Sequence, residues 1–197
     1  KVHGKKKLEG VTVAKVDENR KPIPGTERYI ECDLLVLSVG LIPENELSRH
    51  AGIKLHRVTK GPVVDQNMMT SIPGIFAAGN VSAVFDLVDY VSKTGAGAAR
   101  WLRGELKATD ADKCMMVEAG ENISFTLPQT IRPEDDKITF FMRVRKPLTK
   151  PVIQLTCDGK VIAKKKLQTA NPPEMVALTA EWKEEYQGHI VMEGKEA

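Results

Sequence analysis

The residues of this chain best suited to chemistry lie in one short stretch. The run "TSIPGIFAAGN", residues 70–80, ends in Gly79–Asn80, and five residues later Asp86 opens the stretch "DLVDYVSKTGAGAARWLRG". A glycine closing an apolar run lets backbone approach a ligand closely. Asn80 is an uncharged amide that both accepts and donates hydrogen bonds. The first amides of a helix have no acceptor inside it, and its dipole favours negative charge there. If a helix starts at Asp86, the amides of Leu87 and Val88 are free donors for a polar, electron-rich ligand. In open α/β sheets ligands sit outside the carboxyl ends of strands, the place expected for Gly79 and Asn80. Asp86 and Asp89 need no chemistry, since capping and dipole complementarity explain both.

Other chemistry is poorly represented. Cys32, Cys114 and Cys157 are far apart, with no CxxC and no histidine at zinc-like spacing. Neither a redox dithiol nor a metal site is expected, and scattered cysteines fit a reducing, cytoplasmic compartment. His3, His50, His56 and His189 stand apart from cysteines and paired carboxylates, so surface and capping roles outweigh general-base catalysis. Trp101 and Trp182 read as packing residues. No catalytic residue is assigned. The lysine triplets at 5–7 and 164–166 read as solvated surface. A formal net charge of +3 is too mild to argue for nucleic acid. No apolar run approaches the roughly 18 to 20 residues that cross a bilayer. The opening "KVHGKKKLEG" lacks the apolar region of a secretory signal, and a first residue other than Met suggests an excised fragment.

These residues must be held by elements, and the elements change character near residue 105. "GVTVAKV" reads as a strand and "NRKPIPGTE" as the turn of a hairpin. The run Leu34, Leu35, Val36, Leu37 has the pattern of a strand covered on both faces in a layered α/β fold, ending at Gly40. "PENELSRHAG" is a short helix between Pro43 and Gly52. "GPVVDQNMMTSIPG" gives a short strand and a loop that feeds a buried strand "GIFAA". A single helix is expected from Asp86 to Gly104, with Leu87, Val91, Ala98 and Leu102 on one face. Gly95 and Gly97 inside it each cost about 1 kcal/mol relative to Ala, which makes sense if another backbone or a flat ligand packs on that face.

Beyond the boundary expected at "RGELKATDADK" come short alternating strands. In "KITFFMRVR", Ile138, Phe140, Met142 and Val144 alternate with polar residues, giving one buried face. Asp158–Gly159 in "VIQLTCDGKVIAKKKL" is the strongest hairpin signal in the chain. With "NISFTL", "MVALTA" and "GHIVME" they make six or seven strands, a small antiparallel β-sandwich of immunoglobulin-like appearance.

Three segments together carry a resemblance. "CDLLVLSVGLIPE", "GPVVDQNMMTSIPGIFAAGN" and "DLVDYVSKTGAGAA" resemble the carboxyl-terminal FAD-domain segment of the FAD-dependent pyridine nucleotide-disulfide oxidoreductase superfamily. Within it, they are most similar to NAD(FAD)-dependent dehydrogenases associated with anaerobic glycerol-3-phosphate dehydrogenase. The resemblance covers roughly residues 8–104 and implies a partial Rossmann-like FAD/NAD-binding portion ahead of the β-sandwich. It divides the chain into residues 1–40, which close the NAD domain and return to the FAD domain, residues 41–107 of the FAD domain, and the sandwich, residues 108–197. It implies FAD as cofactor, NAD(P)H as co-substrate and a redox partner subunit such as a glycerol-3-phosphate dehydrogenase, and it admits a homodimer. By the same resemblance Val39 and Gly40 lie close to the cofactor. Gly79 and Asn80 match a Gly-Asp pair whose acidic side chain binds the FAD ribityl chain. Leu87 and Val88 match the helix start that faces the flavin N1 and O2 edge.

Asn80 departs from the usual acidic residue and so removes a negative charge near the flavin. Both GxGxxG phosphate loops and the redox cysteine pair of the superfamily are absent from these residues, and "GAG" at 95–97 falls inside a helix with no strand before it. The chain as given is therefore expected neither to hold FAD tightly nor to turn over. Two alternatives stay open: a non-enzymatic docking module built on the sandwich, and a heterodisulfide-reductase-like electron-transfer subunit.

Overall fold

The computed structural model of the chain describes residues 1–19, 21–38, 40–106, 113–132 and 136–196. They form two compact units, Lys1–Gly40 and Leu41–Ala197.

In the first unit, β1 (Val2–His3), β2 (Gly10–Val13) and β3 (Arg28–Glu31) make an antiparallel sheet in that order, with Val11 opposite Ile30 across the expected hairpin. The apolar run that follows is not the covered strand its composition suggests. Leu34, Val36 and Leu37 are 74%, 79% and 70% exposed and form no strand. An apolar run becomes a central strand only when neighbours pair with it on both edges, and among the described residues of this unit the pairing stops at Glu31.

The second unit begins with α1 (Glu46–His50), closed by Gly52 at φ +73° as the sequence predicts. Residues 53–78 then fold by turns and single bridges. "GIFAA" is a correction: it makes one bridge, Met69 to Phe76, and no strand. Its partner bends too sharply for a ladder, because Asp65 Oδ1 accepts the amides of Asn67 (2.8 Å) and Met69 (3.0 Å) and Met68 sits at φ +63°.

The long helix is likewise two pieces, α2 (Val88–Thr94) and α3 (Ala96–Leu102). The break has a local cause. Thr94 Oγ1 donates to the Val91 carbonyl (2.6 Å), the acceptor that the Gly95 amide would use, and Gly95 bonds Ser92 O instead (3.2 Å). Gly97 explains its own place in the run: a Cβ there would stand 1.6 Å from the Asn67 carbonyl oxygen. The face packs on backbone.

The rest is β-rich. One sheet runs β10 (Lys160–Lys166), β9 (Pro151–Cys157), β13 (Ile190–Glu196), β4 (Met115–Ala119), β6 (Thr130–Ile131). A second runs β12 (Val176–Trp182), β7 (Asp136–Val144), β5 (Ile123–Leu127), and β8 (Leu148–Thr149) pairs with β11 (Thr169–Ala170). The β9–β10 hairpin turns on Asp158 and Gly159, both at positive φ (48° and 77°), as a two-residue Asp-Gly turn requires. The expectation of a purely antiparallel arrangement is corrected by β13, which pairs with β4 in parallel. A parallel pair cannot be closed by a hairpin, so it joins the opening and closing strands of the region without any turn signal. Ile138, Phe140, Met142 and Val144 are buried with Ile153, Leu155, Ile190, Met192 and Trp182 in one core. Phe141, on the other face of β7, enters a second cluster with Val64, Ala77, Ala83, Phe85 and Met175.

Candidate functional site

Gly79 opens a 3₁₀ turn, Gly79–Val81, rather than ending a strand. It is buried, at φ +67°, and its amide donates to Thr94 Oγ1 (2.7 Å), while its carbonyl accepts from the Ser82 hydroxyl (2.7 Å) and amide (3.0 Å). A side chain at this position would strain the backbone and meet Val91 Cγ1 at 3.1 Å. The turn is thereby fixed to α2. Asn80 beside it is exposed, and its Oδ1 accepts from the Phe85 amide (3.1 Å). With the acceptor used inside the chain, the Nδ2 group with its two donors is the part of the carboxamide left to face a ligand.

Leu87 is the N-cap of α2 and Val88 its first residue; both side chains are exposed, at 52% and 75%. In the first turn the Tyr90 amide donates to the Leu87 carbonyl (3.1 Å), whereas those of Leu87, Val88 and Asp89 come too early to find an acceptor within the helix. Asp86 does not cap, because Leu87 takes the N-cap position and no side chain caps the helix. Its carboxylate instead pairs with Arg143 of β7 and accepts the Met175 amide. Sequence reasoning missed both partners. Nothing local could reveal them, since Arg143 lies 57 residues away. Gly40 sits at φ +98° with open space where a Cβ would stand; Val39 lies outside the described residues. The donor set of Asn80 Nδ2 and the α2 first turn, next to a glycine that must stay side-chain free, fits a polar ligand that develops negative charge.

Elsewhere the chemistry stays quiet. None of Cys32, Cys114 and Cys157 is in a disulfide. Burial pushes the Cys157 thiol up, helped by neighbouring Asp158, which opposes thiolate chemistry. Among the described residues no three His, Cys, Asp or Glu side chains gather as metal ligands, and no helix is long and apolar enough to cross a membrane.

Residues 3–100 match the family model of pyridine nucleotide-disulphide oxidoreductases. Over these residues, just under half of the chain, the sequence is similar to that superfamily. The family's cofactors are FAD and NAD(P)H. A nitric oxide reductase FlRd-NAD(+) reductase of Klebsiella pneumoniae is 39% identical over 62 residues, 32% of this chain and 16% of the relative. A probable ferredoxin reductase CtmF of Castellaniella defragrans is 34% identical over 79 residues, 38% and 19% of the two chains. The ferredoxin--NAD(+) reductase component of a biphenyl dioxygenase system from Paraburkholderia xenovorans is 43% identical over 56 residues, 28% and 13%. The chain thus spans less than a fifth of the length of these relatives.

Proposed function

We propose that this chain is a carboxyl-terminal portion of an FAD-dependent NAD(P)H oxidoreductase, and that Gly79, Asn80, Leu87 and Val88 face the ribityl chain and the isoalloxazine edge; the sequence resemblance also assigns Val39 and Gly40 to the cofactor's surroundings. The observation that carries this reading is the Gly79–Asn80 turn, pinned to α2 through Thr94, with Asn80 exposed and its Oδ1 already taken by the Phe85 amide. Gly79 keeps the backbone open to close approach. Asn80 Nδ2 donates to ribityl oxygens, and the α2 first-turn amides donate toward the edge that becomes electron-rich on reduction. When bound, FAD supplies the hydride acceptor and donor chemistry between nicotinamide and an electron-accepting partner. The relatives' names point to ferredoxin-type acceptors, and the sequence resemblance to a glycerol-3-phosphate dehydrogenase subunit; both describe a protein partner. Residues 108–197 are read as an appended sandwich of immunoglobulin type, outside the Rossmann-like part.

The deciding residue is Asn80. In the full-length protein, Asn80→Asp places a carboxylate where the reduced flavin gathers negative charge. We expect the flavin midpoint potential to fall by about 30 mV, tenfold in a two-electron equilibrium. An unchanged potential in a spectroelectrochemical titration removes Asn80 from the cofactor's surroundings, and a full-length protein that cannot be reconstituted with FAD removes the reading altogether.

A further inference from the structure

We propose that Arg143, in the β-rich part of the chain, is the positioning residue for the stretch Gly79–Val88. This rests on the flavin reading above. The link between Asn80 and α2 has few ties of its own: Ser82 and Ala83 bond back to Gly79 O, and Phe85 N–H bonds to Asn80. Asn45 Nδ2 holds its start by donating to the Val81 carbonyl (3.0 Å), and residues 84–86 are fastened from the β-rich part. One Arg143 nitrogen, Nη2, donates to the Val84 carbonyl (3.0 Å) and to the Asp86 carboxylate, whose second oxygen accepts the Met175 amide. Phe85 lies edge-on to Phe141 (5.4 Å between ring centres), and Tyr90 of α2 meets the same ring at 4.9 Å. Arg143 therefore grips a main-chain carbonyl and a side chain two residues on, just before α2 begins.

Two consequences follow for the site. Through the one nitrogen Nη2, the half-buried Arg143 ties the Val84 main chain to the Asp86 carboxylate and so sets where the start of α2 stands. The pair also neutralises Asp86, one of the two carboxylates, with Asp89, that flank the proposed flavin-facing amides. Because binding and conformation are linked reciprocally, a ligand seated at Asn80 and α2 also tightens the clamp on β7.

The test uses the full-length protein with Arg143→Met, Arg143→Lys and Asp86→Asn. FAD binding is followed by quenching of flavin fluorescence and by the visible bands of the bound flavin, and amide hydrogen exchange is read without FAD. We expect Arg143→Met and Asp86→Asn to weaken FAD binding about tenfold, the scale of losing a charged hydrogen bond. Arg143→Lys recovers part of that loss. At saturating FAD the visible bands shift in Arg143→Met, and exchange accelerates at residues 84–90 while β9 and β13 stay protected. Wild type that binds FAD, with variants of unchanged affinity and spectrum, overturns this inference and leaves the flavin reading standing. Wild type that fails to bind FAD overturns both. Should Arg143→Met also unprotect β9 and β13, Asp86→Asn, which leaves Arg143 in its sheet, decides the matter alone.

Discussion

His56 shows how a single ring can tie stability to pH in this chain. Its Nδ1 accepts the Thr59 amide at 3.3 Å, and burial lowers its pKa from the ordinary histidine value. Protonation would set a donor against a donor. Above about pH 6.5 the ring is neutral whether folded or unfolded, and its titration contributes nothing. As pH falls below that value the unfolded chain binds a proton that the native state resists, so stability declines until pH passes below the native pKa. Thermal unfolding at pH 5 and pH 7.5 should show a larger acid-side loss for wild type than for His56→Gln. Equal losses would mean that His56 is not the sensor. The sequence marked this histidine only as non-catalytic, because a ring's acceptor role depends on which turn folds over it.

The stretch Gly95–Ala99 separates two glycines that look alike in sequence. A Cβ at Gly95 meets only Ser92 O at 3.6 Å, and the residue already has a helical φ of −77°, whereas a Cβ at Gly97 would collide with the Asn67 carbonyl. Gly95→Ala should therefore raise stability by roughly 0.5 to 1 kcal/mol, and Gly97→Ala should lower it by about 1 to 3 kcal/mol. Urea unfolding of the two variants checks the opposite signs. The same contrast measures how much of the fold was legible. Signals that act within a few residues held: the Asp158–Gly159 turn, the Gly52 stop and the alternation along β7. Elements that depend on a distant partner did not. Leu34–Leu37 lacks flanking strands, "GIFAA" faces a bent neighbour, and Phe141 is buried by residues far away in sequence. At the site, the sequence marked the glycine and the amide but put Gly79 at a strand end and the N-cap at Asp86, where the structure has a 3₁₀ turn and Leu87; the ties from Thr94 and Arg143 left no local signal.

Within residues 41–197, the two hydrophobic clusters meet on β7, one on each face. Met142 belongs to the core between the sheets and Phe141 to the cluster with Phe85. Asp65 and Arg132 add a buried ion pair between the loop before "TSIPG" and the end of β6. Removing one partner of such a pair is costly, which binds the two stretches into one folding event. The chain has two tryptophans, so each single replacement leaves one reporter. Trp101 in α3 lies against Phe76, and Trp182 is buried in the sheet core. In Trp182→Phe and Trp101→Phe respectively, the fluorescence midpoint should coincide with that protein's own far-ultraviolet transition. A Trp101 transition that precedes loss of β structure would show the helical stretch unfolding separately.

The lysine triplet at 164–166 gains a meaning from its place in the sheet order. β10 is an outermost strand, Lys164, Lys165 and Lys166 are exposed along it, and its pairing with β9 is interrupted between Val161 and Ala163. An unpaired strand margin is a template on which another molecule can extend the sheet, and positive charge with an irregular register discourages that growth. A run that reads as solvated surface thus lies where positive charge opposes edge-to-edge pairing, and Lys165 is in addition tied to the Ala177 carbonyl of β12 (2.9 Å).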